Sequence, residues 1–332
     1  MYDQAISLID SAQRIVIIQP ENPDGDSLGS SLALEEILGD KGKQVTMYCR
    51  IEIPKYMRYI NGWDRVVSTF DLQADLAIIV DTTADNLLDK TLAEPGVRSF
   101  LESHPVLVID HHDGESNLSF PHTILEDEAV ATSEVIFKLA HNAQWDINQQ
   151  AAKNMLASIM ADSLGLTTQN VTSDVFRIVA HLIDFGASPA ELEAKRREYM
   201  KKSPEILAYK GELIRRIEYF LDGKLALIHI PWEDIHEYSD QFNPSILVLD
   251  EMRLVVGVDV AIAIKTYPDG KLTGKLRSNI PVSGNIAGFF GGGGHAYSAG
   301  FKINESYDNT IPELLHAADD AIKEYYVSDH TT

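Results

Sequence analysis

Apolar side chains at Ala5, Ile6, Leu8 and Ile9 recur with helical spacing and predict a helix over residues 2–11. The run RIVIIQP then reads as a short buried strand, closed by Pro20 and Pro23. Helical spacing returns from Ser27 to Leu38, and Gln44–Cys49 is the second strand. ADLAIIVD forms a third strand ending at Asp81, and HPVLVID a fourth ending at Asp110. Unbroken Ile/Val/Leu runs, in place of alternation, belong to strands covered on both faces. Ala129–Ala140 and Asn148–Met160 read as helices, with Asp162 in the loop that follows. Strand-then-helix repetition predicts an α/β fold with a mostly parallel sheet.

Past Ile178 the strand signal gives way to a charged helical stretch, AELEAKRREYMKKSPE, which continues to Lys210 and reads as an ordered connection. A second, smaller α/β unit follows. Its strands are expected at Arg216–Leu221, Lys224–Ile230, Ser245–Met252, Val255–Thr266 and Leu272–Ser278, with a tight turn at Asp269-Gly270. GFFGGGGHAYSAGF lies near the end of this unit, an acidic helix over Ile311–Tyr326 closes it, and SDHTT is a frayed tail.

A chain of 332 residues with 45% hydrophobic and 23% charged residues suits two folded domains rather than disorder. The formal net charge of -22 argues against wrapping long duplex nucleic acid, which needs many basic groups on phosphates. A small anionic substrate stays open, because bound cations and local Arg residues can reverse the field in a cleft. The start of the chain lacks a basic lead before an apolar core, and no apolar run approaches a membrane span of about 18 residues. A cytoplasmic location is the resulting expectation. The single Cys49 excludes an internal disulfide and a multi-cysteine metal cluster.

The chemistry gathers at strand ends, the edge where open α/β sheets bind ligands. Asp24 and Asp26, in PDGDSLGS, follow the first strand; Asp81 follows LAIIV; Asp110, His111 and His112 follow PVLVI. An isolated DGD is most simply a solvated acidic turn. Repeated carboxylates at one sheet edge are costly without cations, however, and divalent metals supply them. Carboxylates suit Mg²⁺ or Mn²⁺, and imidazole among them favours the transition metal. Asp81 is the natural bridge between two ions, and Asp110 can orient a histidine ring. Asp162 can cap a helical turn or complete the metal set. In the second unit, Gly292, Gly293 and Gly294 form either a flexible loop or a backbone surface that approaches a phosphate. Arg277, Ser278 and His295 are the candidate anion contacts beside it.

Taken together, PDGDSLGS, Asp81, the DHH run at 110–112 and Asp162 resemble the DHH-family phosphoesterases. GGGGHAYSAG resembles the glycine-rich signature of their associated C-terminal DHHA1-type domain, and the likeness extends from about Arg14 to Phe301. The branch most resembled contains nanoRNases and 3',5'-phosphoadenosine phosphatases. The resemblance implies a catalytic domain over 1–185, a helical linker over 186–211 and a substrate-binding domain over 212–327, with the active cleft between the domains. It implies two Mn²⁺ ions, Mg²⁺ being the alternative. Asp24 would serve the first ion; Asp26, His111 and Asp162 would serve the second; and Asp81 would bridge. His112 would face the phosphate as a catalytic group with Asp110, and His295 and the glycine loop would hold the substrate. A homodimer is also implied. Relatives carry a histidine where this chain has Pro20, which weakens the first site; Gln19 and Glu21 are the nearby replacements.

The activity expected is hydrolysis of short oligonucleotides, of 3'-phosphoadenosine 5'-phosphate, or of both, by metal-activated water. Alternatives are a nucleotide-binding protein with a degenerate centre, a cyclic or linear dinucleotide phosphodiesterase, and an inorganic pyrophosphatase.

Overall fold

The four apolar runs of the first half become neighbouring parallel strands in the computed structural model, which describes residues 1–112, 116–239 and 241–329. Only the main chain is described at Glu126, His295 and Asp329. The chain divides into two units, Met1–Lys201 and Lys202–Thr332.

Unit 1 runs α1 (Tyr2–Ser11), β1 (Arg14–Ile18), α2 (Gly25–Asp40), β2 (Gln44–Tyr48), β3 (Leu76–Val80), α3 (Asp89–Leu92), α4 (Val97–Ser103), β4 (Val106–Asp110), β5 (Thr123–Glu126), α5 (Thr132–Asn142), α6 (Gln149–Asp162), α7 (Ser173–Asp184) and α8 (Pro189–Tyr199). Its sheet has the order β2-β1-β3-β4-β5, every pairing parallel. Alternation survives inside the apolar runs as a choice of core. Ile15, Ile17, Ile78, Val80, Leu107 and Ile109 pack on the side of α2, α5 and α6. Val16, Ile18, Ala77, Ile79, Val106 and Val108 pack against Leu92, Val97, Phe100 and Leu101 on the other side. Both faces are therefore covered, as the runs required.

Helix α2 starts where Asp24 caps it. Asp24 Oδ1 accepts from the backbone N–H groups of Asp26 (2.9 Å) and Ser27 (3.0 Å), while Ser27 Oγ accepts from Asp24 N–H (2.9 Å). The helix is buried almost throughout its first half because it lies directly against α6. A Cβ at Gly25 would stand 2.5 Å from Ala161 Cβ, and one at Gly29 2.7 Å from the Asn154 carbonyl oxygen. Glycines one turn apart thus set the helix separation.

Unit 2 runs α9 (Pro204–Arg215), β6 (Glu218–Phe220), β7 (Leu225–Ile230), α10 (Trp232–Tyr238), α11 (Pro244–Arg253), β8 (Val260–Thr266), β9 (Lys271–Ser278), α12 (Ser283–Phe289), β10 (Gly293–His295), β11 (Ser298–Asn304) and α13 (Tyr307–Asp329). Its sheet order is β10-β11-β9-β8-β7-β6, antiparallel except for β7 with β8. One face packs on residues of α12 and α13, the other on residues of α9, α10 and α11.

Several expectations are corrected. Ser245–Met252 is not a strand but most of α11: Pro244 opens the helix, and Asn243 Oδ1 accepts from Ser245 N–H (3.2 Å). The next strand begins at Val260 rather than Val255, because Gly257 turns the chain at φ +87 and Val256 is fully exposed. Asp162 is the last residue of α6 rather than part of a loop. The helical connection is three helices, α7 to α9. Strands β5, β10 and β11 add to those expected, and α13 extends through Ser328 and Asp329. The rest of the expected tail, His330–Thr332, lies outside the described residues.

Gly29→Ala should destabilise unit 1 by about 1–3 kcal/mol, since its Cβ meets backbone that cannot rotate away. Gly39→Ala, in the same helix with nothing within 4 Å of its Cβ, should be neutral or stabilising by about 0.4–1 kcal/mol. Denaturant unfolding of the two variants checks the opposite signs.

Candidate metal centre

Five segments deliver the polar groups of unit 1 to the carboxyl edge of its sheet. Asp26 lies in the first turn of α2, Asp81 just past β3, Asp110 at the end of β4 with His111 and His112 following, Thr132 at the start of α5, and Asp162 at the end of α6. Asp81 has φ +63, a left-handed conformation costing roughly 1–2 kcal/mol. Regular alternation would send its side chain to the core of Ala77 and Ile79. The turn instead brings Oδ1 to the Thr132 hydroxyl, which donates to it at 3.2 Å, and to within 3.6 Å of His111 Nε2. Strain of this kind, held by surrounding structure, is common at functional sites.

His111 keeps the strand alternation and faces α2, α5 and α6. Its Nδ1 is 3.2 Å from the Ala129 carbonyl oxygen, which can only accept, so Nδ1 carries a proton. Nε2 points among three carboxylates: Asp26 Oδ2 at 3.4 Å, Asp81 Oδ1 at 3.6 Å and Asp162 Oδ2 at 3.6 Å. Nε2 is buried and has no hydrogen-bond partner among the described residues. Three carboxylates around one ring nitrogen are held together only with a proton or a metal cation between them. Backbone-anchored imidazole with carboxylates is a transition-metal donor set.

Two groups place their ligand atoms within 4.8 Å of one another: Asp26, His111 and Asp162, and Asp81, Asp110, His111 and His112. His111 belongs to both. Asp24 belongs to neither, although its charge acts on Asp81 and Asp162; Oδ1 is occupied in capping α2. Glu21 is also engaged, its Oε1 accepting from Thr91 N–H at 2.7 Å. Gln19 is wholly buried, and neither atom of its amide has a partner among the described residues. Pro20 offers no side-chain ligand.

Hydroxyl groups that sequence reasoning missed hold Asp26 in place. Oδ1 accepts from Ser158 (2.5 Å) and Ser30 (2.9 Å), and Ser30 Oγ is 2.8 Å from Ser133 Oγ. Oδ2 accepts from Thr132 N–H at 2.8 Å. The signal available was polar residues on otherwise apolar helix faces, in LGSSLALEEIL and LASIMAD.

Burial, and then the charges of Asp26, Asp24, Asp110 and Asp162, holds the Asp81 carboxyl well above the ordinary carboxylate range. Asp162 is pushed up to about 6 by burial and by Asp26, against the opposing pull of His111. Asp24 is exposed as a residue, yet the protein packed around its carboxyl, and then Asp26, raise it too. Burial works to lower His112, but the hydrogen bond and charge of Asp110 prevail and raise it. Asp110 Oδ1 lies 2.7 Å from His112 Nδ1 and also accepts from His111 N–H at 2.8 Å.

In unit 2, Arg277 donates to the Ser298 hydroxyl and to the Leu276 carbonyl oxygen (3.1 Å). Ser278 is turned inward: its Oγ is 2.8 Å from Ser283 Oγ and donates to the Ala296 carbonyl oxygen at 3.4 Å. A Cβ at Gly292 would meet the Gly300 carbonyl oxygen at 2.3 Å, and one at Gly294 the Ser298 carbonyl oxygen at 2.6 Å. Those glycines permit the close β10–β11 pairing. Gly293 faces open space. His295 stands opposite Ser298, which stands opposite Arg277; its side chain lies outside the described residues.

Among the described residues no helix is long and apolar enough to cross a membrane. The DHH family N-terminal domain matches residues 14–164, and the DHHA1 domain matches residues 244–324. The bifunctional oligoribonuclease and PAP phosphatase NrnA of Thermus thermophilus is 26% identical over 305 residues, covering 90% of this chain and 88% of that protein. Its Bacillus subtilis namesake is 21% identical, covering 90% and 91%. The crystal structure of an exopolyphosphatase-related protein from Bacteroides fragilis has the same fold, with a TM-score of 0.82, 21% identity and coverage of 98% and 96%. Two domains in this order, with the donor set at the sheet edge, give the chain the DHH/DHHA1 architecture of metal-dependent phosphoesterases.

Proposed function

We propose that this protein hydrolyses short oligonucleotides and 3'-phosphoadenosine 5'-phosphate, using two divalent ions, Mn²⁺ before Mg²⁺. The observation that carries the reading is His111 Nε2 set among Asp26, Asp81 and Asp162. The curated relatives named for oligoribonuclease and PAP phosphatase activity support the substrate class.

Asp26, His111 and Asp162 would hold the second ion, Asp81 would be shared by both, and Asp24, whose Oδ1 caps α2, would serve the first. The buried Gln19 amide, at the end of β1, is the group available in place of the side chain that Pro20 lacks. When bound, the ions lower the pKa of water, orient it and offset charge on the phosphate oxygens. The other tasks fall to the chain. Ser158, Ser30 and the Thr132 backbone fix Asp26, so the donor atoms need little rearrangement. Asp110 holds the His112 ring and favours its charged form, so His112 donates a hydrogen bond to a phosphate oxygen or a proton to the leaving oxygen. Within unit 2, Arg277 and the Gly293 backbone are the groups that would take a substrate phosphate.

With Mn²⁺ present, we expect turnover of 3'-phosphoadenosine 5'-phosphate and a dinucleotide in preference to cyclic di-adenylate and pyrophosphate. Asp81→Asn should lower it by at least about 10³-fold with the fold retained. Nucleotide binding without turnover of any substrate would contradict the reading and favour a degenerate centre.

Proton linkage gives a second test. Asp162 rises from an ordinary 3.8 to about 6 in the folded chain, and Asp81 and Asp24 also rise. The folded state therefore takes up these protons before the unfolded state does. Their stabilising contribution is present at low pH and lost as pH climbs through the folded values. In EDTA the melting temperature should rise on acidification from about pH 7 to about pH 5. With Mn²⁺ it should fall over the same range, as protons compete for the ligands. Calorimetry in the two buffers reads the crossing; a melting temperature that falls on acidification in EDTA would contradict it.

A further inference from the structure

The sheet of unit 2 carries cations that the proposed reaction does not use. On the face shared with α11, three rows cross the strands in register. The first is Ala261, Arg277, Ser298 and His295; the second is Ala263, Lys275, Gly300 and Gly293; the third is Lys265, Thr273 and Lys302. Each row is two residues from the next along its strands, a step of roughly 6.6–6.8 Å. Arg277, Lys275 and Lys302 therefore descend the face one row at a time, with Lys265 level with Lys302.

Three features show that this ladder is open and uncompensated. The second row has glycine at both positions beyond Lys275, and a Cβ at Gly293 would meet nothing within 4 Å, so in that row no side chain flanks the lysine on its β11 side. Lys275 and Lys302 are exposed, and among the described residues neither has a carboxylate partner. The cations also oppose one another. Burial and then the charge of Lys275 bring Lys265 down to about 8; Lys275 is exposed as a residue, yet the protein packed around its amine, and then Arg277, lower it too. Asp250 is the carboxylate whose charge acts on Arg277, and Arg253 opposes it. Lys265 Nζ is held by Asn243 Oδ1 at 2.6 Å, a neutral partner that leaves its charge unbalanced.

Like charges stepped down two neighbouring strands, in a chain of net charge -22, call for an anion of matching repeat. We propose that Lys275 and Lys302 continue the Arg277 subsite as a track for successive phosphates of a single-stranded oligonucleotide. The step between rows is comparable to that between neighbouring phosphates of an extended single strand, and the open glycine row gives the backbone room to pass. The track rests on the reading of unit 2 as the substrate-binding domain. It implies that oligomers of about three to five nucleotides gain contacts that a dinucleotide or 3'-phosphoadenosine 5'-phosphate cannot reach.

The test is binding of a fluorescein-labelled penta-adenylate to the full chain in EDTA, where nothing is hydrolysed, with an unlabelled dinucleotide as competitor. Lys275→Ala/Lys302→Ala alters exposed residues only, and circular dichroism checks its fold. The ratio of pentamer affinity to dinucleotide affinity should fall by about tenfold in the double variant, and the log–log salt slope for the pentamer should flatten by about 1.4, two contacts' worth for a single strand. Three results would overturn the track: an unchanged ratio, no pentamer binding by the natural chain, or equal competition by polyglutamate, which would mark a general anion patch. Failure of the proposed reaction is read separately, as absent turnover with Mn²⁺ while the binding ratio still responds.

Discussion

The close contact of α2 with α6, made possible by Gly25 and Gly29, is the constraint on which the metal centre depends. At that separation the first turn of α2 meets the last turns of α6, so Asp26 reaches the Ser158 hydroxyl and Asp162 comes within reach of His111. Side chains larger than hydrogen would part the helices and pull Asp26 and Asp162 off the sheet edge. The hydrophobic cores on either face of the sheet fix the strand ends, and the helix contact fixes what faces them. Carboxylates are thereby held together at a cost that only cations or protons offset.

Much of this was legible in the sequence because buried parallel strands have an unmistakable form. LAIIV and VLVI can hardly be anything else, and the acidic residues that end them must lie at one sheet edge. The α6 helix was legible too, to within a turn of Asp162. The strand expected at Ser245–Met252 failed because SILVL fits a buried strand as well as a helix face; the Asn243-Pro244 start decides for the helix. Other features leave no trace in residue type. The left-handed turn at Asp81 redirects a side chain that alternation would send to the opposite core. Ser30 and Ser158 look like any small helix residues until the Asp26 carboxylate is placed between them. Asp24 and Asp26 look equivalent, yet one carboxylate caps a helix while the other stands against His111.

The two units present opposite electrostatic problems. Unit 1 concentrates carboxylates that require cations, and unit 2 lines up Arg277, Lys275 and Lys302, which require anions. A divalent ion and a phosphate chain are complementary answers. A strongly acidic chain can therefore act on a polyanion when both charges are answered locally.

The most direct test of the account is anomalous diffraction from crystals grown with Mn²⁺. Two peaks are expected. One should lie about 2.1 Å from His111 Nε2 and from oxygens of Asp26 and Asp162, with Asp81 shared between both ions. A clean map with no peak at His111 Nε2, the carboxylates instead directed to solvent or to protein donors, would contradict it.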